Sequence, residues 1–390
     1  MTSTLPLAGL RVLDITVARS GPTCVRHLAD WGADVIAVRP PNGAGDLLGR
    51  EPFEYENLHR NKRLITLDLK SDAGREAFRR LAKNADVVVE NMRPDVKRRL
   101  GVAWEDLQPL NPRLVYGSIS GFGQDGPYAN RGGVDQIIQG LGGLMSVTGE
   151  PGRGPMRTGI AVSDMAAGTL LALAIMTALY EREKTGEGRY VHTSLLESQI
   201  FMLDFQASRW LVSGEVPGQA GNNHPTLAPM GVFPTADGHV NIAATSGRHF
   251  GQFCEVVGWT NWRDDPRLAS SASRVKNRDA LNAMIGEETR QRPSAWWVER
   301  LEAVGVPCGP ILAVDEMFED PQVAHLGMAA PVESETLGPT QVVASPLNFE
   351  GVEKRVRVAA PANARATDSV LAEVGYSPGE IAEMRRQGAI

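Results

Sequence analysis

Asp164 is the residue in this sequence whose type and position most favour covalent chemistry. It stands directly before an uncharged apolar segment, 165–180, that is typical of a long helix ending near Arg182. Asp164 is therefore predicted at or near the helix N-cap, where a carboxylate meets unpaired backbone N–H groups and the positive end of the helix dipole, which favour its ionised form. An ionised carboxylate is a nucleophile toward acyl carbon atoms. The same position is typical of a carboxylate that only caps a helix, so the pattern leaves both roles open.

A cluster of basic residues follows the predicted strand that ends at Glu90. Lys97, Arg98 and Arg99 lie together in the helical turn after the sequence ENMRPDV. Lysine binds phosphate as a point charge and arginine as a bidentate partner, so the cluster is a candidate phosphate site at a strand end. Basic side chains also complement the dipole of an ordinary solvated helix C-terminus. The sequence alone leaves both interpretations open.

Other catalytic patterns do not appear in the sequence. The first predicted strand is followed by ARSGPTC rather than by the GxGxxG of a dinucleotide-binding loop. The sequence contains neither a GxSxG elbow nor an HExxH pair, which argues against the common hydrolases. Cys24, Cys254 and Cys308 are widely spaced and do not form a metal-ligand pattern, so we expect no structural metal. The glycine-rich stretches 121–126 and 140–154 are predicted to form turns.

Composition further limits the possible partners and compartment. The 390 residues carry a net charge of −6, which gives no global positive field for nucleic acid or an acidic membrane surface. The apolar segment 165–180 is shorter than the ~20 residues of a membrane span, so we expect a core helix and no membrane partner. The N-terminal sequence lacks the basic and apolar regions of a secretory signal. With only three scattered cysteines, these features predict a cytoplasmic protein.

Alternating strand and helix patterns predict an α/β fold with a doubly wound parallel sheet. The predicted strands are 11–16, 34–38, 64–69, 86–90, 114–118 and 190–196. Ligands of such sheets bind beyond the carboxyl ends of the strands, so we expect the loops after these strands to share one crevice. A helix predicted at 201–212 leads into a Gly-, Pro- and Asn-rich stretch, 213–229, that we interpret as a linker. Shorter periodic segments after it predict a smaller second domain, 230–320.

The ordered motifs resemble those of one known family over most of the sequence. They are LRVLDIT, LADWGADVI, NKRLITLDLK, ADVVVENMRP, LNPRLVYGSISGFG, Asp164 with its glycine-bearing helix, KTGEGRYV, VPCGPI and DPQV. Together they closely resemble the class III CoA-transferases. That family includes formyl-CoA and carnitine CoA-transferases and relatives that racemise 2-methylacyl-CoA.

The resemblance implies an interlocked homodimer whose large Rossmann-like domain, with its doubly wound parallel sheet, is built from both chain ends. Residues 1–212 would form its N-terminal part, and residues 321–390 would return to it after the inserted smaller α+β domain. Asp164 would be the catalytic nucleophile, acyl-CoA and carboxylic acids the substrates, and no cofactor would be tightly bound. The coenzyme A contacts implied by the resemblance are Val17, Ala18, Leu67, Lys70, Asn91, Met92, Arg99 and Leu100.

Departures from the family pattern narrow the predicted activity. Arg19 stands where formyl-specific members carry glutamine, and its guanidinium is a candidate partner for the free carboxylate of a dicarboxylic substrate. Val134 stands before Asp135 where racemases carry histidine, and a racemase glutamate is replaced near Gly247. Two-base proton transfer therefore lacks both helpers. Gly140 begins a glycine run whose N–H groups are candidates to stabilise oxyanions.

These features together predict a CoA-transferase that works through aspartyl anhydride and aspartyl-CoA intermediates. The substrate-pocket candidates are Arg19, Val134, Asp135 and Gly140. A 2-methylacyl-CoA racemase and a non-catalytic CoA-binding protein remain as alternatives.

Overall fold

Six parallel strands form the central sheet of the protein. The structure, a computed structural model, describes residues 5–41 and 51–390. The strands are β1 (Arg11–Asp14), β2 (Asp34–Arg39), β3 (Lys62–Thr66), β4 (Val87–Glu90), β5 (Val115–Ser120) and β6 (Tyr190–Ser194). Their order is β3-β2-β1-β4-β5-β6, and all neighbouring pairs are parallel. This is the Rossmann order, so the predicted α/β class with a parallel sheet is confirmed.

Helices connect and cover these strands. The described helices are α1 (Ser20–Asp30), α2 (Pro52–His59), α3 (Asp72–Lys83), α4 (Pro94–Leu100), α5 (Trp104–Leu107), α6 (Asp135–Leu141), α7 (Leu144–Val147), α8 (Val162–Thr185), α9 (Leu195–Met202), α10 (Phe205–Ser213), α11 (Gly247–Val257), α12 (Ser271–Lys276), α13 (Arg278–Thr289), α14 (Ser294–Ala303), α15 (Val314–Glu319), α16 (Pro321–His325), α17 (Thr367–Glu373) and α18 (Pro378–Arg386). The single helix predicted at 201–212 is instead two helices, α9 and α10. They are separated at Asp204, whose φ of 46° lies in the left-handed region and cannot continue a helix.

Both faces of the sheet are buried. Successive residues of a strand point to opposite faces, and Val12 and Leu13 of β1 accordingly belong to two different apolar clusters. Helices α1 and α8 pack in the cluster of Val12, whereas α3, α17 and α18 pack in the cluster of Leu13. This two-sided burial explains why the strands are nearly continuous apolar runs.

The described C-terminal residues cover the sheet without extending it. All six strands lie between 11 and 194, so the prediction that both chain ends build the sheet is wrong for the strands themselves. The C-terminal segment instead forms helices because it carries helix-start signals, such as the capping box of Ser377 and Glu380. It also forms a separate two-stranded antiparallel sheet, β10 (Ala329–Ser334) with β11 (Gly338–Val343).

The described residues group into two compact units. The first contains the described part of 1–144 together with 158–211 and 321–390, and the second contains 145–157 and 212–320. The second unit has its own apolar core and an antiparallel sheet. Its strands are, in order across the sheet, β7 (Met230–Pro234), β8 (His239–Ala243) and β9 (Cys308–Pro310). The predicted linker, 213–229, falls within this second unit, and its role as a domain connection stays a prediction.

Candidate active site

The loops that follow β1 and β4 are joined at the carboxyl edge of the sheet. Val17 N donates a hydrogen bond to Asn91 Oδ1 at 2.8 Å, and Asn91 Nδ2 donates to Val17 O at 2.7 Å. β1 and β4 are adjacent strands at which the strand order reverses, and ligands of open α/β sheets bind at this point. The structure therefore brings together two residues, Val17 and Asn91, that were predicted to contact coenzyme A.

Asp14, the last residue of β1, fixes the start of the first loop from inside the core. Its fully buried carboxylate accepts hydrogen bonds from Thr16 N at 2.9 Å and from Thr16 Oγ1 at 2.6 Å. Lys62 Nζ lies 3.1 Å from Asp14 Oδ2, and Arg39 Nη1 donates to Asp14 O at 3.2 Å. Burial alone would raise the pKa of Asp14, but Lys62, Arg39 and the Thr16 bond hold that pKa well below its usual range. An ionised Asp14 thus anchors Thr16.

The turn between this strand and α1 is tightly packed. Ala18 has a φ of 61°, in the left-handed region that residues other than glycine seldom adopt. A Cβ atom on Gly21 would lie 2.3 Å from Cβ of Thr16, so only glycine lets the start of the helix approach the loop so closely. The turn leaves Val17 and Ala18 exposed at the loop tip, which suits contact with a ligand.

A buried ion pair holds the second loop. Glu90 Oε2 accepts a hydrogen bond from Met92 N at 2.7 Å, and Lys97 Nζ lies 2.8 Å from Glu90 Oε1. Lys97 Nζ also donates to Ser118 Oγ and to the Tyr190 hydroxyl, both at 3.0 Å. Burial raises the pKa of Glu90, and the nearby charge of Lys97 opposes that rise. The ion pair therefore holds the Glu90 carboxylate in place, and this carboxylate binds the loop backbone at Met92 N.

The basic cluster of α4 is divided between the core and the surface. The side chain of Lys97 is 5% exposed and already engaged, so the prediction that it meets phosphate is wrong. Arg98 and Arg99 are exposed, and Arg99 Nη1 lies 4.0 Å from Asp95 Oδ2. Sequence spacing placed the lysine and the arginines together, but helix geometry turns only the lysine inward.

The other predicted coenzyme A contacts occupy different environments. Leu67 is buried in the core, whereas Lys70 is exposed just after β3. Met92 and Leu100 are partly buried against the core. Among the predicted contacts with charged side chains, Lys70 and Arg99 both reach solvent, where a phosphate can meet them. The binding role of all eight residues stays a prediction.

Asp164 lies in the first turn of α8 rather than at its N-cap. The helix begins at Val162, so Asp164 is its third residue, and the N-cap residue Ala161 has no side-chain acceptor. The prediction that the helix begins just after Asp164 is wrong, because Asp135, from α6, supplies an acceptor for an earlier N–H group: its Oδ1 accepts a hydrogen bond from Ser163 N at 2.9 Å. Asp164 remains near the positive end of the helix dipole.

Helix α8 approaches the start of α1 one turn after Asp164. A Cβ atom on Gly168 would lie 2.5 Å from Ser20 O and 2.8 Å from Cβ of Thr23. Residues i and i+4 share one face of a helix, so Asp164 lies on the face of α8 that approaches α1. Ser20 directly follows the loop of Val17. The candidate nucleophile therefore lies on the helix that packs against α1, and the predicted coenzyme A loop directly precedes α1.

The substrate-pocket candidates have distinct surroundings. Arg19 forms an ion pair with Glu54 of α2, and both side chains are 28% exposed. Val134 is 60% exposed and Gly140 is exposed, whereas Asp135 is buried. Sequence reasoning missed Glu54, because nothing in the local pattern of α2 connects it to a residue 35 positions earlier.

The glycine run that begins at Gly140 ends helix α6. Gly142 N donates to Ile138 O at 2.7 Å, and Gly143 N donates to Gly140 O at 3.3 Å. Two of the N–H groups proposed to stabilise oxyanions are therefore used within the helix end. A Cβ atom on Gly142 would lie 2.6 Å from Cγ of Gln199, so this glycine allows close packing.

Within residues 5–41 and 51–390, no group of three or more His, Cys, Asp and Glu side chains could hold a metal ion. Helix α8 is long and apolar enough to cross a membrane by length and composition, and half of its most apolar window is buried inside the chain. The half-buried window favours a helix that packs in a protein core.

Similarity to known proteins extends over almost the whole sequence. The sequence profile of CoA-transferase family III matches residues 7–366. The chain is 37% identical to a succinate–glutarate CoA-transferase of Agrobacterium fabrum, over 95% of this chain and 96% of that protein. It is 31% identical to succinyl-CoA:glutarate CoA-transferase of Homo sapiens, over 100% of this chain and 91% of that protein.

A solved crystal structure is also similar to this protein over almost the whole chain. The crystal structure of a CAIB/BAIF family protein from Brucella suis superposes with a TM-score of 0.84 at 35% identity, covering 95% of this chain and 100% of that chain. The profile, the relatives and the structure agree with the resemblance found in the sequence motifs. This protein therefore belongs to CoA-transferase family III and is a transferase enzyme.

Proposed function

We propose that the protein is an acyl-CoA:carboxylate CoA-transferase in which Asp164 is the covalent nucleophile. The observation that carries the proposal is the approach of α8 to α1, where Gly168 and Ser20 nearly touch. Asp164 is one turn before Gly168, and Ser20 follows the predicted coenzyme A loop. The helix dipole interacts favourably with a negative charge in the first helical turn, and a carboxylate acts as a nucleophile in its ionised form.

The proposed cycle conserves the thioester energy in covalent intermediates. An Asp164 carboxylate oxygen attacks the thioester carbonyl carbon of a donor, the C–S bond breaks, and an aspartyl-acyl anhydride forms with coenzyme A thiolate. The thiolate attacks Cγ of Asp164, which releases the donor carboxylate and leaves an aspartyl-CoA thioester. An acceptor carboxylate then attacks Cγ and displaces the thiolate. Attack of the thiolate on the acceptor acyl carbon releases the new CoA ester and restores Asp164.

Dicarboxylic acids are the proposed substrate class. Two relatives over nearly the whole chain are named for succinate and glutarate, which are both dicarboxylic acids. Arg19 supplies a half-buried guanidinium that is already oriented toward the carboxylate of Glu54, and we propose that it pairs with the unreactive carboxylate of the substrate. Arg19→Met should raise KM for a dicarboxylate acceptor about tenfold and leave KM for a monocarboxylate acceptor unchanged. Equal effects on both acceptors would contradict this assignment.

We further propose that the active form is a homodimer of interlocked chains in the cytoplasm. The support for a dimer is the exposure of large apolar side chains on α8 and α9, where Leu173, Tyr180 and Phe201 are 63%, 66% and 68% exposed. Exposed apolar surface of this kind is typical of protein interfaces. Light scattering after gel filtration should give twice the 42.1 kDa chain mass. A monomer that retains full activity would contradict the proposal.

Trapping of the covalent intermediate tests the mechanism. During turnover with succinyl-CoA and glutarate, hydroxylamine should convert Asp164 to a hydroxamate that peptide mass spectrometry locates. Asp164→Asn should abolish turnover and trapping while the thermal unfolding midpoint stays close to that of the wild type. The matched control is Asp279→Asn, an exposed first-turn carboxylate of α13, which should retain full activity.

Other outcomes identify the alternatives. An enzyme that turns over in the presence of hydroxylamine while Asp164 stays unmodified would contradict the proposed mechanism. Exchange of the α-proton of a 2-methylacyl-CoA with deuterated water would indicate a racemase, and coenzyme A binding without ester exchange would indicate a non-catalytic protein.

A further inference from the structure

A second carboxylate, Asp135, accepts a hydrogen bond from Ser163, the residue before Asp164. Its side chain is 7% exposed, and Oδ1 accepts the hydrogen bond from Ser163 N at 2.9 Å. Ser163 is fully buried, so no water can replace this acceptor without opening the core. The backbone that carries Asp164 is therefore held at the adjacent residue by a side chain from a different helix.

Gln139 extends this contact to the segment that enters α8. Its Nε2 donates to Asp135 Oδ2 at 2.7 Å and to Ile160 O at 3.1 Å. Its Oε1 accepts a hydrogen bond from Thr158 N at 3.0 Å. These bonds fix the orientation of the Gln139 amide, because a flipped amide would lose both the Ile160 and the Thr158 bonds. One pair of residues in α6 thus holds the backbone on the N-terminal side of Asp164 at three points.

The opposite side of Ser163 is held by α9. Ser163 Oγ donates to Gln199 Oε1 at 2.8 Å, and Gln199 is fully buried. The residue before Asp164 is consequently fixed through both its backbone nitrogen and its hydroxyl group. Neither bond involves the predicted coenzyme A loops, so this support acts on the nucleophile separately from ligand binding.

We propose that Asp135 is a positioning residue that sets the direction of the Asp164 carboxylate by holding Ser163 N. The inference rests on the proposed function, in which Asp164 attacks the acyl carbon. The role needs two acceptor oxygens, since Asp135 accepts from both Ser163 N and Gln139 Nε2. In Asp135→Asn the side chain keeps one acceptor oxygen, and its Nδ2 donor would face Ser163 N or Gln139 Nε2, which are donors themselves.

The expected effect of Asp135→Asn is a fall in kcat with little change in KM. Displacement of a reacting group by about 1 Å costs on the order of 100-fold in rate, so we expect kcat to fall about 100-fold. KM for succinyl-CoA should stay within about threefold, because the predicted coenzyme A contacts lie on other loops. Asp135→Glu keeps two acceptor oxygens and should recover at least about tenfold of the lost kcat.

A matched control separates positioning from stability. Asp106 is the carboxylate that accepts Ala103 N at the start of α5, so Asp106→Asn changes a helix-capping carboxylate away from Asp164. The control should retain wild-type kcat. Each variant is measured for kcat, KM, thermal midpoint and hydroxylamine trapping at Asp164, as full-length protein.

The outcomes distinguish this inference from the proposed function. If wild-type Asp164 is trapped and Asp135→Asn turns over as fast as the control, the positioning role is wrong. It is also wrong if the Asn and Glu variants lose equal kcat and equal thermal stability, because that pattern indicates a structural role only. If Asp164→Asn itself keeps full turnover, the proposed function fails whatever the Asp135 variants do.

Discussion

Asn91 and Val17, 74 residues apart in the sequence, are joined by two hydrogen bonds across the point where the strand order reverses. The side-chain amide of Asn91 uses its oxygen and its nitrogen to pair with the N–H and the carbonyl of one residue. An amide is suited to this task because it presents one acceptor and two donors on a planar group. The two candidate ligand loops therefore act as one surface.

Asn91→Ala should weaken binding of the CoA ester without affecting the chemical step. Loss of two hydrogen bonds of about 1 kcal/mol each frees the loop of Val17, so KM for the acyl-CoA should rise about 30-fold. Steady-state kinetics with varied acyl-CoA measure the effect, and kcat should change less than threefold. Asn84→Ala, which removes an exposed amide at the end of α3, should leave KM unchanged. An unchanged KM for Asn91→Ala would show that acyl-CoA binding does not depend on the hydrogen bonds between Asn91 and Val17.

Gly168→Ala should separate α1 from α8 and lower activity. The added Cβ atom would lie 2.5 Å from Ser20 O, which is closer than real atoms approach, so one helix must shift. Overpacking of this kind costs about 1–3 kcal/mol, and the shift should lower kcat at least tenfold. Urea unfolding and steady-state kinetics measure the two effects. Gly379→Ala in α18 is the control, because its Cβ atom meets nothing within 4 Å, and it should be neutral or slightly stabilising.

Local patterns were sufficient to predict the elements of the Rossmann-like sheet. The alternation of strand and helix patterns predicted the parallel sheet and six strands close to those observed. These signals are local because strand burial and helix caps depend on neighbouring residues. The meeting of the loops after β1 and β4 was predictable from topology alone, and the hydrogen bonds between Val17 and Asn91 agree with it.

Features that depend on distant partners were not predictable. The start of α8 was misplaced because its acceptor, Asp135, lies 28 residues before the N–H group that it binds. Lys97 stayed a candidate phosphate ligand because a pattern of charges does not reveal that Glu90 and Tyr190 contact its ammonium group in the core. Arg19 likewise gave no sign of its pairing with Glu54.

Substitution of Lys97 should lower the folding stability, whereas substitution of Arg99 should weaken acyl-CoA binding. Lys97→Met leaves Glu90 buried without its ion-pair partner, so we expect a loss of about 3–5 kcal/mol in the free energy of unfolding. Arg99→Ala changes an exposed side chain and should leave that free energy within about 0.5 kcal/mol, while KM for the acyl-CoA rises severalfold. Urea unfolding and steady-state kinetics separate the two effects.

A second variant tests the reason for the Lys97 effect. Glu90→Gln combined with Lys97→Met removes both charges, so the double variant should be more stable than Lys97→Met alone. If the double variant is equally unstable, packing of the lysine stem rather than its charge is the stabilising interaction.

Asp14 should give the folding stability a specific dependence on acid. Its folded-state pKa lies below the unfolded value of about 3.9, so its contribution is fully present above that value and is lost as the pH falls. Asp14→Asn leaves Lys62 buried without its ion-pair partner and should lower the free energy of unfolding by about 3 kcal/mol at pH 7. Urea unfolding followed by circular dichroism should show this difference from the wild type narrowing from about pH 5 to pH 2. In that range the Asp14 carboxylate becomes protonated in the unfolded wild-type chain but stays ionised in the folded one. Asp72→Asn, at a carboxylate that is 98% exposed, should match the wild type at every pH. A difference for Asp14→Asn that stays constant with pH would mean that the pKa of Asp14 is the same in the folded and the unfolded chain, so that Lys62 and Arg39 do not favour its ionised form.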